Sequence, residues 1–126
     1  MTAPECSRGD VWMLDWSPGR GSEQAGWRPG VVVQCDEGNH ARGARTTIVV
    51  PLTTQGRPYA FYIPVPRGSA TGLRDPSWAN CTQLFTIDKG RLRTRLGSVP
   101  VPVLGAIGLA LADTLGLPMP PEASPS

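Results

Sequence analysis

The sequence predicts a small, mostly antiparallel β barrel (mostly β, α+β class) with one C-terminal helix packed on it. Short apolar runs rich in β-branched and aromatic residues recur along the chain, and they give five or six strands. Long polar segments containing glycine and proline separate these runs. Only one segment, near the C-terminal end, carries apolar residues at helical spacing. The residue pattern alone does not choose among the barrels that fit this description.

The first two strands flank a polar loop. Asp10–Trp16 is an apolar-aromatic run that stops at a Ser-Pro-Gly turn signal, and it predicts the first strand. Gly19–Trp27 lacks apolar periodicity and is predicted as a loop. Pro29 restricts Arg28 to an extended conformation. Arg28 is therefore expected where the loop becomes the second strand, which continues through Val31–Cys35.

The middle of the chain predicts two more strands. Asp36–Arg45 is polar and glycine-bearing, and it is predicted as a second loop. Thr46–Leu52 is the third strand, in which Pro51 predicts an edge position or a bulge because proline lacks an N–H for the ladder. Alternation over Tyr59–Val65 predicts the fourth strand.

The remaining strands precede the helix. Arg67–Pro76 contains glycine and proline and is predicted as a loop, and Trp78–Ile87 is predicted as the fifth strand. Arg91–Val99 supplies a short last strand.

Residues from about Val101 to Leu115 predict the one helix. Gly105 and Gly108 each weaken it by roughly 1 kcal/mol relative to alanine, so packing must hold it. Its near absence of charge predicts that more than one face is covered. Residues 118–126 are predicted to be a disordered tail, which leaves 1–117 as a single domain. The helical spacing is carried by five apolar residues: Val103, Leu104, Ile107, Leu111 and Leu115.

Composition limits the class of protein. The chain has 126 residues and a formal net charge of +2, a weak attraction toward nucleic acid. Of its 12 basic residues only Lys89 is a lysine, and arginine can bind phosphate bidentately. A bias in genome composition explains the arginine excess equally well. Three widely spaced cysteines predict neither a disulfide framework nor a zinc site, so we expect a reduced, cytoplasmic protein. The sequence contains no uninterrupted apolar stretch of about 18 residues, so no membrane span is predicted.

Several catalytic schemes lack the residues that they need. His40 is the only histidine, so an acid-base pair of imidazoles within one subunit is excluded. We interpret it as a solvated loop residue. The carboxylates are scattered and predict no two-metal site. No nucleotide-binding glycine motif is present. We therefore expect neither a metal nor a cofactor.

Two segments resemble the MazF/PemK family of toxin endoribonucleases. One is Gly21-Ser22-Glu23-Gln24-Ala25-Gly26-Trp27-Arg28-Pro29, and the other is Ile48-Val49-Val50-Pro51-Leu52-Thr53-Thr54. The resemblance extends to Arg8–Trp12, to Gln83 with Thr86–Lys89, and to the terminal helix. It implies the SH3-like barrel of that family and a ribosome-independent endoribonuclease that is selective for sequences in single-stranded RNA.

The resemblance implies that Arg28 and Thr53 are catalytic. RNA can be cut without a metal because its 2′-hydroxyl attacks the adjacent phosphate, giving a 2′,3′-cyclic phosphate and a 5′-hydroxyl. An arginine aimed at the phosphate stabilises the developing charge, and a threonine hydroxyl adds a hydrogen bond. A guanidinium stays protonated at neutral pH, so proton abstraction by Arg28 is costly.

RNA contacts are expected from residues around this pair. The resemblance implies that Ser22, Glu23, Gln24 and Gln83 bind RNA; Glu23 is also a candidate proton acceptor. Thr54 adjoins Thr53, and Trp27 is the best candidate for stacking an unpaired base. Trp12 and Trp78 are predicted to belong to the core. Two positions, Cys35 and Thr82, differ from the residues of many relatives and bear on base preference.

The resemblance also implies partners. We expect a homodimer and a cognate MazE-like antitoxin whose flexible acidic segment occupies the cleft. Two alternatives share the fold: a CcdB-like protein that binds gyrase without cutting RNA, and an inactive interaction module. Arg28 and Thr53, in their motifs, argue against the first.

Overall fold

The computed structural model describes residues 4–16 and 26–118, and these form one antiparallel sheet with a terminal helix. Sheet neighbours run in the order β4-β5-β3-β2-β1-β7, with β6 also paired to β3. Among the described residues, β4 and β7 do not pair, so the barrel is open. The predicted fold class is confirmed. The strands are β1 (Asp10–Asp15), β2 (Trp27–Val32), β3 (Thr46–Thr53), β4 (Tyr62–Val65), β5 (Ser77–Asn80), β6 (Phe85–Asp88) and β7 (Leu92–Ser98); the helices are α1 (Asp36–Asn39) and α2 (Val101–Leu115).

The third strand is central, and its proline lies at a break in the pairing. β3 pairs with β6 up to Val49 and with β5 from Leu52 onward, so Pro51 falls between the two partners. On the other side Gly30 is opposite Pro51. The predicted edge position is wrong, because β3 has partners on both sides. Proline is nevertheless tolerated at position 51, since on the side of β5 and β6 no registered partner needs the N–H that proline lacks.

The predicted fifth strand is two strands. β5 ends at Asn80 and β6 begins at Phe85, with a turn between them in which the Gln83 amide donates to the Asn80 carbonyl at 3.3 Å. The segment contains neither glycine nor proline, so no turn signal marks the break. The fourth strand is also shorter than predicted, since Tyr59 lies in a turn that leads into Tyr62.

The polar segment after β2 contains a short helix, α1, where a loop was predicted. Asn39, at its end, is fully buried. Its amide nitrogen donates to the Gln34 carbonyl at 2.9 Å, and its amide oxygen accepts from the Thr47 hydroxyl at 2.6 Å. The Lys89 ammonium, also buried, donates to the Asn39 carbonyl at 2.6 Å. These bonds to residues outside the helix hold a four-residue helix that has no apolar periodicity of its own.

The strands β1, β2 and β3 separate two apolar clusters. Because successive side chains of a strand point to opposite faces, Val31 belongs to the cluster with β4, β5 and α2, while Val32 belongs to the other cluster. The second cluster contains Trp12, Leu14 and Trp16. Trp12 is buried, as predicted, and Trp78 is half-buried.

The terminal helix has the predicted bounds and packs on one face. Ile107 and Leu111 are buried against the sheet, and the Thr114 hydroxyl donates to the Cys81 carbonyl at 2.8 Å. The opposite face stays exposed in the single chain: Val101 is 82% and Leu109 52% exposed. The expectation that more than one face is covered is therefore not met within this chain. Of the tail predicted at 118–126, all but Pro118 lies outside the described residues.

None of the helices in the described part of the chain is long and apolar enough to span a membrane.

Candidate active site

Arg28 is held by its backbone at the start of β2. It is opposite Leu14 of β1, and its carbonyl accepts a hydrogen bond of 3.0 Å from the Trp16 indole N–H. The side chain is exposed. The extended conformation expected from Pro29 is the one observed. A fixed backbone therefore presents an exposed guanidinium.

Close packing at Gly30 lets Trp16 reach Arg28. A β-carbon at position 30 would lie 2.8 Å from Cζ2 of Trp16 and 2.9 Å from Cδ2 of Leu14. The Trp16 ring also packs edge-to-face on Phe85, with ring centroids 5.1 Å apart. Trp16 thereby connects the second apolar cluster to the backbone of Arg28.

Thr53 ends β3, where the strand becomes a turn. Its hydroxyl oxygen accepts from the Gln55 backbone N–H at 3.1 Å. Since a hydroxyl is both donor and acceptor, this bond orients the group while its own proton can be donated to a ligand. Thr53 is half-buried and pairs with Trp78 of β5.

The sheet register brings Arg28 and Thr53 to one end of the structure. Gly30 and Pro51 are the last registered pair of β2 and β3, and two residues past it lie Arg28 on β2 and Thr53 on β3. Residues two apart share a face of a strand, and directly opposed residues share a face of the sheet. Both side chains therefore project from the same face at adjacent strand ends.

An apolar cavity of about 410 Å³ adjoins this end of the sheet. Pro29 and Thr54, which line it, are the chain neighbours of Arg28 and Thr53. Asp75 and Ser77 supply polar groups at its wall. Thr54 is exposed, so its side chain is accessible to a ligand.

The other predicted RNA contacts are distributed around the pair. Trp27 immediately precedes Arg28 and is 59% exposed. Gln83 lies in the turn between β5 and β6, so its predicted position on a strand is wrong. That turn spans the gap in the pairing of β3 beside Pro51. Ser22, Glu23 and Gln24 lie outside the described residues.

The two residues that depart from the family pattern have local structural roles. Cys35 is the N-terminal cap residue of α1 and is exposed. The Thr82 hydroxyl donates to the Asn80 side-chain oxygen at 2.6 Å.

The groups with shifted pKa values lie away from Arg28. The backbone N–H of Arg8, 2.7 Å from an Asp36 carboxylate oxygen, lowers the pKa of that carboxyl, with help from the Asn39 amide. Burial raises the pKa of the Cys6 thiol and raises that of Cys81 to about 11. Within residues 4–16 and 26–118, no three His, Cys, Asp or Glu side chains cluster as metal ligands.

Sequence reasoning missed two residues at this end of the sheet. For Trp16, the sequence did not indicate that its indole N–H donates to the Arg28 carbonyl. Arg93 lies over the ring of Trp27, with its guanidinium carbon 5.4 Å from the ring centroid. The alternation Arg91, Arg93, Arg95 in a predicted strand was a signal that could have identified it.

Comparison with known proteins gives the same family along most of the chain. Residues 7–115 match the family model described as PemK-like, MazF-like toxin of type II toxin-antitoxin system. The chain is 36% identical to endoribonuclease MazF of Staphylococcus saprophyticus over 113 residues, covering 87% of this chain and 91% of the relative. It is 33% identical to endoribonuclease MazF9 of Mycobacterium tuberculosis over 114 residues, covering 87% and 96% of the two chains.

Solved structures agree on the fold. A mycobacterial endoribonuclease in complex with its cognate antitoxin superposes with a TM-score of 0.74 at 26% identity, over 91% of this chain and 99% of that one. A MazF from Deinococcus radiodurans gives a TM-score of 0.75 at 23% identity, over 93% and 100% of the two chains. Since the family model and both sequence relatives span most of the chain, this protein belongs to the PemK-like, MazF-like toxins of type II toxin-antitoxin systems.

Proposed function

We propose that this chain is a toxin endoribonuclease that cuts single-stranded RNA at selected sequences without a metal. The observation that carries the proposal is the placement of Arg28 and Thr53 at adjacent ends of β2 and β3, on one face of the sheet. A guanidinium and a hydroxyl in this arrangement suit a phosphodiester, which offers negatively charged oxygens to both.

The proposed reaction uses the 2′-hydroxyl of the RNA as nucleophile. Its oxygen loses a proton and bonds to phosphorus, while the bond from phosphorus to the 5′-oxygen breaks and that oxygen takes up a proton. The products are a 2′,3′-cyclic phosphate and a 5′-hydroxyl. Arg28 binds the phosphoryl oxygens and stabilises the charge that develops on them.

Thr53 has a smaller part in this scheme. Its oxygen accepts from Gln55, so the hydroxyl proton is directed away from that backbone amide and can be donated to a phosphoryl oxygen. Glu23 is the candidate to accept the proton of the 2′-hydroxyl, because a guanidinium is protonated at neutral pH and has no lone pair to accept a proton.

Base selection is proposed to come from the surroundings of the catalytic pair. Unpaired bases offer their edges to loop residues, which suits a candidate site formed by loops and strand ends. RNA contacts are assigned to Ser22, Glu23, Gln24, Trp27, Thr54 and Gln83, of which Trp27 stacks an unpaired base without selecting it. The exposure of Trp27 and Thr54 at this end of the sheet supports the assignment.

The proposed partners are a second copy of this chain and a cognate antitoxin, in the cytoplasm. The exposed apolar face of α2 supports the homodimer. The mycobacterial relative solved with its antitoxin supports the second partner. An acidic antitoxin segment would complement the exposed arginine. If a small acidic protein encoded beside this chain neither binds it nor restores growth, the antitoxin proposal is wrong.

One experiment tests the reaction. Long RNA is incubated with the protein in EDTA, the new 5′ ends are mapped, and an oligonucleotide spanning a mapped site is then made with a 2′-deoxy nucleotide at the scissile position. Cleavage in EDTA that the 2′-deoxy substitution abolishes is expected. Undiminished cutting of the 2′-deoxy substrate would refute the mechanism. Failure to cut any RNA would favour the gyrase-binding or inactive alternatives.

A further inference from the structure

Trp27 and Arg93 form an exposed stacked pair beside Arg28. Trp27 begins β2 opposite Asp15 of β1, and Arg93 is on β7, the strand on the other side of β1. The Arg93 guanidinium carbon lies 5.4 Å from the centroid of the Trp27 ring, within the range of a cation–π contact. Both side chains are exposed. The pair thus spans three strands at the same end of the sheet as Arg28, with Trp27 on the face opposite the Arg28 side chain.

An irregularity in β7 accompanies the position of Arg93. Met13 is opposite Thr94 and Leu14 is opposite Leu92, so Arg93 is an extra residue without a partner in the register. A bulge of this kind redirects the side chain of the extra residue, and bulges are common near active sites. The register shift provides a physical reason for the reach of Arg93 across β1 toward Trp27.

Arg93 differs from the neighbouring arginines in what it contacts. Arg95 donates to the carboxylate of Asp10 at 3.2 Å, and Arg91 donates to the Asp15 carbonyl at 3.3 Å. Among the described residues, Arg93 has no carboxylate at ion-pair distance, and its recorded contact is the neutral ring of Trp27. A ring face leaves the charge of the guanidinium uncompensated. With respect to the described residues, Arg93 therefore retains N–H donors for an anion.

We propose that Trp27 and Arg93 form a platform for one nucleotide that flanks the cleaved phosphate, an inference that rests on the proposed function. An unpaired base stacks on the Trp27 ring, and the Arg93 guanidinium binds a phosphate of the same strand. Stacking of this type accepts any base, because every base has a π face. The platform therefore strengthens RNA binding without choosing the sequence.

Binding of an uncleavable RNA tests the platform. The probe is the oligonucleotide with a 2′-deoxy nucleotide at the mapped scissile position, and its dissociation constant is measured by fluorescence anisotropy at several salt concentrations. Trp27→Leu should weaken binding on the order of 10-fold, and Trp27→Phe should retain most of the affinity. Arg93→Gln should weaken binding and reduce the slope of log affinity against log salt by about 0.7, the value for one phosphate contact on a single strand.

Arg42→Gln is the matched control. Arg42 is an exposed arginine in the loop that precedes β3. It therefore lies near the start of that strand, whereas Thr53 is at its end. Its substitution should leave the affinity and the salt slope unchanged. Thermal melts of all variants establish that they are folded, and the mapped 5′ ends produced by the Trp27 and Arg93 variants should match those of the wild type.

The outcomes separate the platform from the proposed function. If the wild type cuts RNA but Arg93→Gln binds the probe as Arg42→Gln does, the platform is wrong and the function stands. A shift in the mapped 5′ ends would also overturn it, since the residues would then select bases. If the wild type cuts no RNA, the proposed function fails and the platform fails with it.

Discussion

The indole N–H of Trp16 donates to the backbone carbonyl of Arg28 at 3.0 Å. Trp16 itself is 6% exposed, while the Arg28 side chain is exposed. A buried ring thus fixes the backbone of a residue whose charge faces solvent. Because preorganised donors stabilise a developing anion more effectively than mobile ones, this bond connects packing in the second apolar cluster with the proposed chemistry at Arg28.

Arg28→Ala should lower the single-turnover cleavage rate by about 10²–10³, since it removes a charged donor from the transition state. Arg28→Lys should restore little, because an ammonium lacks the planar fork of the guanidinium. Thr53→Val preserves the shape of the side chain and should cost less than Arg28→Ala.

The double variant should lose less than the product of the two single losses, since both groups are proposed to act on one phosphate. Thermal melts serve as the control, and each variant should melt close to the wild type. Near-normal cleavage by Arg28→Ala, or a loss explained by unfolding, would contradict the assignment.

Light scattering at micromolar concentration should report about twice the chain mass, because the exposed face of α2 is apolar. Leu109→Glu introduces a charge on that face, where Leu109 is 52% exposed, and should yield a monomer. Since this side chain is not in the core, the melt at low protein concentration should change little. A wild-type monomer at high concentration would refute the homodimer.

Only one of the three thiols should react quickly with a disulfide reagent in the folded protein. Cys35 is exposed, whereas Cys6 and Cys81 are buried and burial raises the pKa of both, that of Cys81 to about 11. The thiolate is the reactive form, so a raised pKa slows these two further. Cys35→Ser should remove the fast phase, and denaturant should expose the remaining thiols. Two fast thiols in the wild type would contradict the described core.

Gly97→Ala should destabilise the fold by about 1–3 kcal/mol, the usual cost of overpacking. A β-carbon at position 97 would lie 2.2 Å from the Ala70 carbonyl oxygen, which is backbone and cannot move aside easily. Gly105→Ala is the matched control: it meets nothing within 4 Å and should stabilise α2 by about 0.5–1 kcal/mol. Urea unfolding measures the free energy of unfolding of both variants. If Gly97→Ala is as stable as the wild type, β7 does not pack against the Ala70 carbonyl as described.

The sequence by itself determined the elements whose patterns are local. The bounds of α2 follow from apolar spacing over Val101–Leu115, and Pro29 alone requires an extended Arg28. Periodicity and proline geometry depend on residues a few positions apart, so they can be read from the chain. The motifs around Arg28 and Thr53 also indicated the family before any geometry was available.

Tertiary structure decided every feature that joins distant residues. Hydrogen bonds from Thr47 and Lys89 to Asn39 hold the helix α1. The strand β3 changes partner near Pro51, because β6 and β5 pair with successive parts of the same side of it. Arg93 reaches Trp27 across β1 at a bulge that sequence spacing does not reveal. The pairing register depends on which strands are neighbours, and a shift of the register by one residue moves every side chain of a strand to the opposite face of the sheet. For that reason Arg28 and Thr53 could be identified from the sequence motifs, but only the fold shows that their side chains project from one face of the sheet.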